Sequence, residues 1–322
     1  MNRDYEVLIV GGGPAGLAAG LYTARARRKT LLLERGIHGG QIAITGLVEN
    51  YPGFPDGIEG PELAERMLQQ ATKFGMEIEY AEVPTLRLEG ALKVLSTDYG
   101  EYGAPVVILA GGSDHTKLGV PGEAELTGKG VSYCATCDGA FFKDQEVAVV
   151  GGGDSALDEG LFLTKFASRL TIIHRRDALR ASKILQERAL AHPQLRFIWD
   201  TVVEEVLGHD QVTGLRLRNL KSGLRSEFTC QGVFVYIGLR PNTGYLRGLV
   251  KLDDQGYIIT DEVMETGVPG LYAAGDIRHN AARQLASAVG DGVTAAIQAE
   301  RYLAELAAGV AGQKAQAPAG GH

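Results

Sequence analysis

The feature that most constrains this chain is a pattern used twice. Residues 5–35, YEVLIVGGGPAGLAAGLYTARARRKTLLLER, run from an apolar strand (5–10) into a glycine-rich turn, a helix of small residues and a strand ending at Glu34. Residues 145–176, QEVAVVGGGDSALDEGLFLTKFASRLTIIHRR, keep that order, with the second strand ending at His174. The interval from Gly11 to Glu34 equals that from Gly151 to His174. Two such openings of matched length argue for two homologous dinucleotide-binding domains.

Each opening is followed by β-rich sequence. Residues 77–103 alternate and lead into PVVILAGG (105–112); residues 195–230 do likewise and lead into GVFVYIG (232–238). GLYAAGD (270–276) reads as a further buried strand, followed by a helix over about 284–305. Residues 61–75 read as another helix, with Pro61 at its start and apolar residues at 63, 64, 67, 68, 71 and 74. The tail from about 308 is small and polar and is expected to be disordered.

The two strand ends differ in charge. The first turn carries Gly11, Gly13 and Gly16, with Pro14 and Ala15 between them, where backbone can approach a pyrophosphate at a helix N-terminus. Glu34 then offers a carboxylate to both ribose hydroxyls and repels a 2′-phosphate, so this site suits FAD or NAD. The second turn has Gly151, Gly153 and Ala156, with Asp154 and Ser155 between them, and no acid at the ribose position. His174, Arg175 and Arg176 stand there instead, with Arg180 one turn on; forked donors suit a phosphate dianion and select NADPH over NADH. The bland alternative is a solvated charge run. Together the two sites imply a flavoprotein that takes hydride from NADPH.

Cys134 and Cys137 form a Cys-x-x-Cys shortly before the second glycine-rich turn. Such pairs close a short redox ring, often with one thiol of lowered pKa. Asp138 follows directly and is placed to carry the proton that thiol–disulfide exchange moves, or merely to cap the next turn. A structural zinc site needs four ligands, and one pair without a nearby histidine does not supply them, so no metal is expected. The third cysteine, Cys230, reads as a small buried hydrophobe in a strand.

At this point the chain resembles the bacterial-type, low-molecular-weight thioredoxin reductases, from about residue 4 to 306. GGGPAG, GGQ…VENYPG, CATCDG, GGGDSA, HRR, and AAGD followed by RQ carry the likeness. The resemblance implies an α/β fold of two Rossmann-like three-layer domains, the NADPH domain (118–242) inserted into an FAD domain (1–117 and 243–322). It implies that Cys137 sits against the flavin, Cys134 attacks the thioredoxin disulfide and Asp138 serves as general acid–base. Gly40, Gln41 and Asn50 are expected to line the flavin, beside Arg35, Ala110, Gly111 and Gly275, with Asp276 on the ribityl or pyrophosphate region. Arg283, Gln284 and Ala286 are expected to help close that site, and Phe141 and Phe142 to dock thioredoxin or to be ordinary core. Two departures stand out: Ala110-Gly111-Gly112 replaces the usual Ala-Thr-Gly, removing a turn-ordering hydroxyl, and residues 113–117 (SDHTK) are unusual beside the expected interdomain crossing.

Length and composition agree. The 322 residues suffice for two full cores, and 45% hydrophobic with 22% charged residues is an ordinary globular balance. A net charge of −7 leaves no basic footprint for nucleic acid, and no apolar run approaches the roughly 20 residues that span a bilayer. Three cysteines fit a reducing compartment. With a strand expected almost at once and no leader pattern, a cytoplasmic location is the default expectation; a homodimer is implied by the resemblance. The competing expectations are an FAD-binding redox sensor and a dithiol oxidase using another acceptor.

Overall fold

The computed structural model describes residues 4–45 and 47–309, without the side chain of Cys137. The tail expected to be disordered falls, from residue 310 on, outside the described residues. The chain divides into two compact units. One comprises the residues up to Ser113 and from Pro241 on; the other is Asp114–Arg240. The crossings, expected at 117/118 and 242/243, fall a few residues earlier. Ser113–His115 and Leu239–Pro241 pair there as a two-stranded sheet.

In the first unit, Val7–Val10 is the centre of a five-stranded parallel sheet. Thr30–Glu34 and then Glu77–Tyr80 lie on one side, Val106–Leu109 and then Leu271–Ala273 on the other. Alternation along the central strand decides what each face meets. Val7 and Ile9 pack with Leu17, Ala19, Ala295 and Ala299 of the helices Pro14–Arg25 and Leu285–Ala307. Leu8 and Val10 pack instead with Leu86, Leu95 and Tyr102 of an antiparallel sheet formed by Thr85–Glu89, Leu92–Thr97 and Gly100–Ala104. Helix, parallel sheet and antiparallel sheet make three layers, and a strand buried on both faces needs the uninterrupted apolar run seen here. The helix expected over 61–75 is Gly60–Thr72, burying Leu63, Ala64 and Ala71.

The second unit repeats the plan. Glu146–Gly151 is central, with Arg169–Ile173 and Leu195–Ile198 on one side and Gly232–Tyr236 and Val131–Ser132 on the other, all parallel. Val147 and Val149 face Ala156 and Leu157 of the helix Asp154–Leu163. Ala148 and Val150 face Val203, Val206, Leu215 and Leu217 of the antiparallel strands Thr201–Gly208 and Val212–Asn219, which continue to Arg225–Thr229. Cys230 is fully buried but lies between the strands Arg225–Thr229 and Gly232–Tyr236 rather than within one, and burial pushes its thiol up to about 12.

Candidate functional sites

In the first unit the central strand ends at Gly11, whose φ of +108° is open to glycine at little cost. Its N–H donates to the Leu33 carbonyl at 2.8 Å, and the Ala110 N–H donates to the Val10 carbonyl at 2.7 Å, so both neighbouring strands close on the turn. A side chain at Gly11 would collide with the Ala110 carbonyl, and one at Gly16 with the Gly11 carbonyl, which is how the helix comes onto the turn. At Gly13 nothing lies within 4 Å of where a Cβ would stand, leaving backbone open to a ligand. Pro14 occupies the start of the helix, where its missing N–H costs nothing. Ala15 lies against Gly275 and the glycine-faced start of Leu285–Ala307.

Glu34 sits at its strand end. Its Oε2 accepts from the Gly12 N–H at 2.6 Å and its Oε1 from the Gly36 N–H at 2.7 Å. Each oxygen keeps a lone pair for a ribose hydroxyl. A cleft of about 300 Å³ opens there, lined by Gly11, Glu34, Arg35, Val83, Pro84 and Tyr245 among others. The Tyr245 hydroxyl is buried with no hydrogen-bond partner among the described residues. The open Gly13 face, the half-used carboxylate and this cleft fit the adenosine half of a dinucleotide. Ala81–Pro84 and Asn242–Tyr245 were missed by sequence reasoning. Their signal is positional: the first segment follows a parallel strand at its carboxyl end, where ligands of such sheets bind.

The expected flavin-side residues form linked groups in this unit. The Gly39 N–H donates to the Gly12 carbonyl at 2.7 Å, and Gly40 (φ +54°) lies against Gly13, so Gly40 and Gln41 are fixed to the glycine-rich turn. Gln41 Nε2 donates to the Ser113 carbonyl at 3.4 Å, and Asn50 Nδ2 to Gln284 Oε1 at 3.2 Å. Gln284 caps the helix that contains Ala286, and the Arg283 guanidinium lies over the Tyr257 ring at 5.1 Å. Burial raises the Asp276 carboxyl above its ordinary range, with the Arg283 charge opposing. Around Gly111 the backbone is held by two side chains: Ser113 Oγ donates to the Asp276 carbonyl at 2.7 Å, and Asn242 Nδ2 donates to the Gly111 carbonyl at 2.9 Å.

In the second unit Gly151 meets the Tyr236 carbonyl closely, Gly153 is open, and Ala156 takes the place of the third glycine. Asp154 Oδ1 accepts from the Ser182 N–H at 2.7 Å, and Ser155 is exposed in the first turn of the helix. Arg175, Arg176 and Arg180 are exposed and have no side-chain hydrogen bond or ion pair among the described residues. The Arg180 N–H donates to the Gly152 carbonyl at 2.7 Å, bringing the loop back to the turn. His174, expected to bind nucleotide, is turned inward. It is 4% exposed, its ring lies against Gly152, and its Nε2 is 3.1 Å from the Ala178 carbonyl. Burial, and secondarily the arginines, lower its pKa. It therefore supports the turn from within, and the exposed guanidiniums of Arg175, Arg176 and Arg180 face solvent.

The redox segment belongs to the same unit. Cys134 is disulfide-bonded; the side chain of Cys137 lies outside the described residues. The Cys134 N–H donates to Ser132 Oγ at 3.0 Å, and the Ala135 N–H, between the cysteines, donates to the Tyr236 hydroxyl at 2.9 Å. Tyr133 donates to Glu123 at 2.7 Å. Asp138 ends the one-turn helix Ala135–Asp138 and lines a cleft of about 350 Å³ with Lys129, Phe141 and Gln145. The two phenylalanines separate: Phe141 is 76% exposed, whereas Phe142 is buried edge-on against Phe234 with ring centroids 5.3 Å apart. Phe142 is thus a core residue.

The chain belongs to the pyridine nucleotide-disulphide oxidoreductase family, whose model matches residues 5–292. It is 48% identical over 306 residues to a thioredoxin reductase of Listeria monocytogenes, covering 95% of this chain and 96% of that one. It is 49% identical over 308 residues to a thioredoxin reductase of Bacillus subtilis, with the same coverage. Among solved structures, the Lactococcus lactis thioredoxin reductase matches with a TM-score of 0.91 at 45% identity, covering 94% of this chain and 99% of that one. The membership makes the chain an oxidoreductase, an FAD-containing flavoprotein that uses NADPH. No helix among the described residues is long and apolar enough to cross a membrane.

Proposed function

We propose that this chain is a thioredoxin reductase, drawing electrons from NADPH and delivering them through Cys134 and Cys137 to the disulfide of thioredoxin. The observation that carries the reading is a charge contrast between two units of one plan. A carboxylate closes the nucleotide end of the first, and three guanidiniums, unpaired among the described residues, close that of the second, which also bears the redox pair. FAD, when bound, supplies two-electron transfer between the hydride donor and the disulfide. Gly11, Gly13, Gly16, Glu34 and Arg35 would hold its adenosine and pyrophosphate, with Gly40, Gln41, Asn50, Asp276, Arg283, Gln284 and Ala286 toward the flavin. Arg175, Arg176 and Arg180 take the 2′-phosphate. Cys134 attacks the substrate disulfide while Asp138 holds and returns the proton, and Phe141 offers the exposed apolar contact for the protein substrate. In this reading nicotinamide and cysteines are carried by one unit (Asp114–Arg240) and need the same ring in turn, so it includes rotation about the two chain crossings. The reading includes a cytoplasmic homodimer, which the sequence resemblance implies.

The decisive experiment is the variant Cys134→Ser/Cys137→Ser. It is expected to keep flavin reduction by NADPH and to lose thioredoxin reduction; continued thioredoxin turnover removes the pair from the pathway. An engineered disulfide across each crossing is expected to abolish turnover with FAD retained, and normal turnover in the locked form refutes the rotation.

A further inference from the structure

Beside the three arginines stand two carboxylates that a phosphate dianion would not tolerate uncompensated. Asp177 follows Arg176 in sequence, and the Asp200 N–H donates to the Arg176 carbonyl at 3.3 Å. Lys221 answers both: its Nζ lies 2.9 Å from Asp177 Oδ2 and 3.0 Å from Asp200 Oδ2. The position of Lys221 is built by the turn that carries it. Asn219 Oδ1 accepts from the Lys221 N–H at 3.0 Å and the Ser222 N–H at 2.9 Å, a local turn that Asn favours. Gly223, at φ +72°, donates its N–H back to the Asn219 carbonyl at 2.9 Å. The Leu220 N–H donates to the Asp200 carbonyl at 2.6 Å, docking this turn on the strand end. The bond to Lys221 in turn holds the Asp177 carboxyl below its ordinary range.

We propose that Lys221 is a specificity-determining residue for the nucleotide, acting through Asp177 and Asp200. By occupying both carboxylates it raises the net positive charge that Arg175, Arg176 and Arg180 present to a 2′-phosphate from one to two. This rests on the reading of those arginines as the 2′-phosphate site. Lys221 is well exposed, so the effect is a screened surface one, read as a modest and salt-sensitive change in selectivity.

The test uses the FAD-loaded enzyme, calorimetric titration with 2′,5′-ADP and 5′-AMP, and steady-state KM and kcat with NADPH and NADH. Lys221→Met is expected to weaken 2′,5′-ADP and raise the NADPH KM about fivefold at low salt, while 5′-AMP and NADH change less than about twofold. The difference should vanish near 0.5 M salt, where the screening length falls to roughly 4 Å. The variant Lys221→Met/Asp177→Asn/Asp200→Asn should regain the parent selectivity; asparagine tolerates the φ of +52° at position 200. An unchanged Lys221→Met overturns the inference. So does a triple variant that stays weak, since Lys221 then touches the phosphate itself. Should the parent bind 2′,5′-ADP no tighter than 5′-AMP, the arginine reading fails first and the inference with it.

Discussion

Glu123 is 3% exposed and has no ion pair among the described residues. Its Oε1 accepts from the Leu118 N–H and the Tyr133 hydroxyl, and its Oε2 from the Gly119 N–H, each at 2.7 Å. It thereby ties the segment after the first crossing to the residue preceding Cys134. Hydrogen bonds to a charged acceptor contribute about 1.5–3 kcal/mol each, and a buried donor left without acceptor costs about 1–3 kcal/mol. Glu123→Gln keeps the shape but turns one acceptor into a donor facing a donor, and weakens the others by removing the charge; about 3 kcal/mol should be lost. Glu123→Leu removes all three acceptors and should cost about 5 kcal/mol. Tyr133→Phe deletes one donor, leaves both N–H bonds intact and should cost about 1.5 kcal/mol. Trp199 is the only tryptophan and stacks on Phe197 within the second unit, so its fluorescence in a urea titration reports this unit. Destabilisation should increase in the order Tyr133→Phe, Glu123→Gln, Glu123→Leu. Finding Glu123→Gln no more destabilising than Tyr133→Phe would show that the carboxylate charge does not hold the two N–H groups.

Lys93 is 2% exposed and donates to the Pro105 carbonyl at 2.6 Å, and burial lowers its pKa from 10.5 to about 8. Because the unfolded chain binds the extra proton between those values, stability should rise from pH 8 to pH 10.5, and Lys93→Met should remove that slope in denaturant titrations. Cys230, buried and pushed up to about 12, should resist alkylation near pH 8 in the native NADPH-reduced protein and react only on unfolding, as mass spectrometry of labelled peptides can read. Arg175→Ala/Arg176→Ala should raise the KM for NADPH about a hundredfold with little change for NADH; equal losses contradict the phosphate assignment. Gly111→Thr should be accommodated, since the nearest atom to a Cβ there is 3.6 Å away, and should change FAD affinity less than about threefold because Ser113 and Asn242 already order the turn. A tenfold gain on reconstituting the apoprotein would refute that compensation.

Local signals made much of this legible. Continuous apolar runs at 7–10 and 147–150 report burial on both faces of a sheet, and the glycine spacing reports the turn that follows, because both depend on neighbours only a few residues away. The residue types at the two strand ends, Glu34 against Arg175 and Arg176, already set the two sites apart by charge. What stayed hidden depends on partners far apart in the chain. Phe141 and Phe142 are identical in sequence terms, and only the approach of Phe234 decides which one is core. His174 reads as a ligand until Gly152 is found against its ring.

The sequence alone therefore determined that two units of one plan are present, that their strand ends differ in charge, and where the Cys-x-x-Cys pair lies. Period, glycine position and side-chain charge are properties of short segments. Only the tertiary structure decided that Lys221 pairs with Asp177 and Asp200, that Ser113 and Asn242 bond the backbone at Asp276 and Gly111, and that Glu123 holds Tyr133. These pairings bring together segments whose meeting is set by strand register and sheet order, which no local pattern encodes.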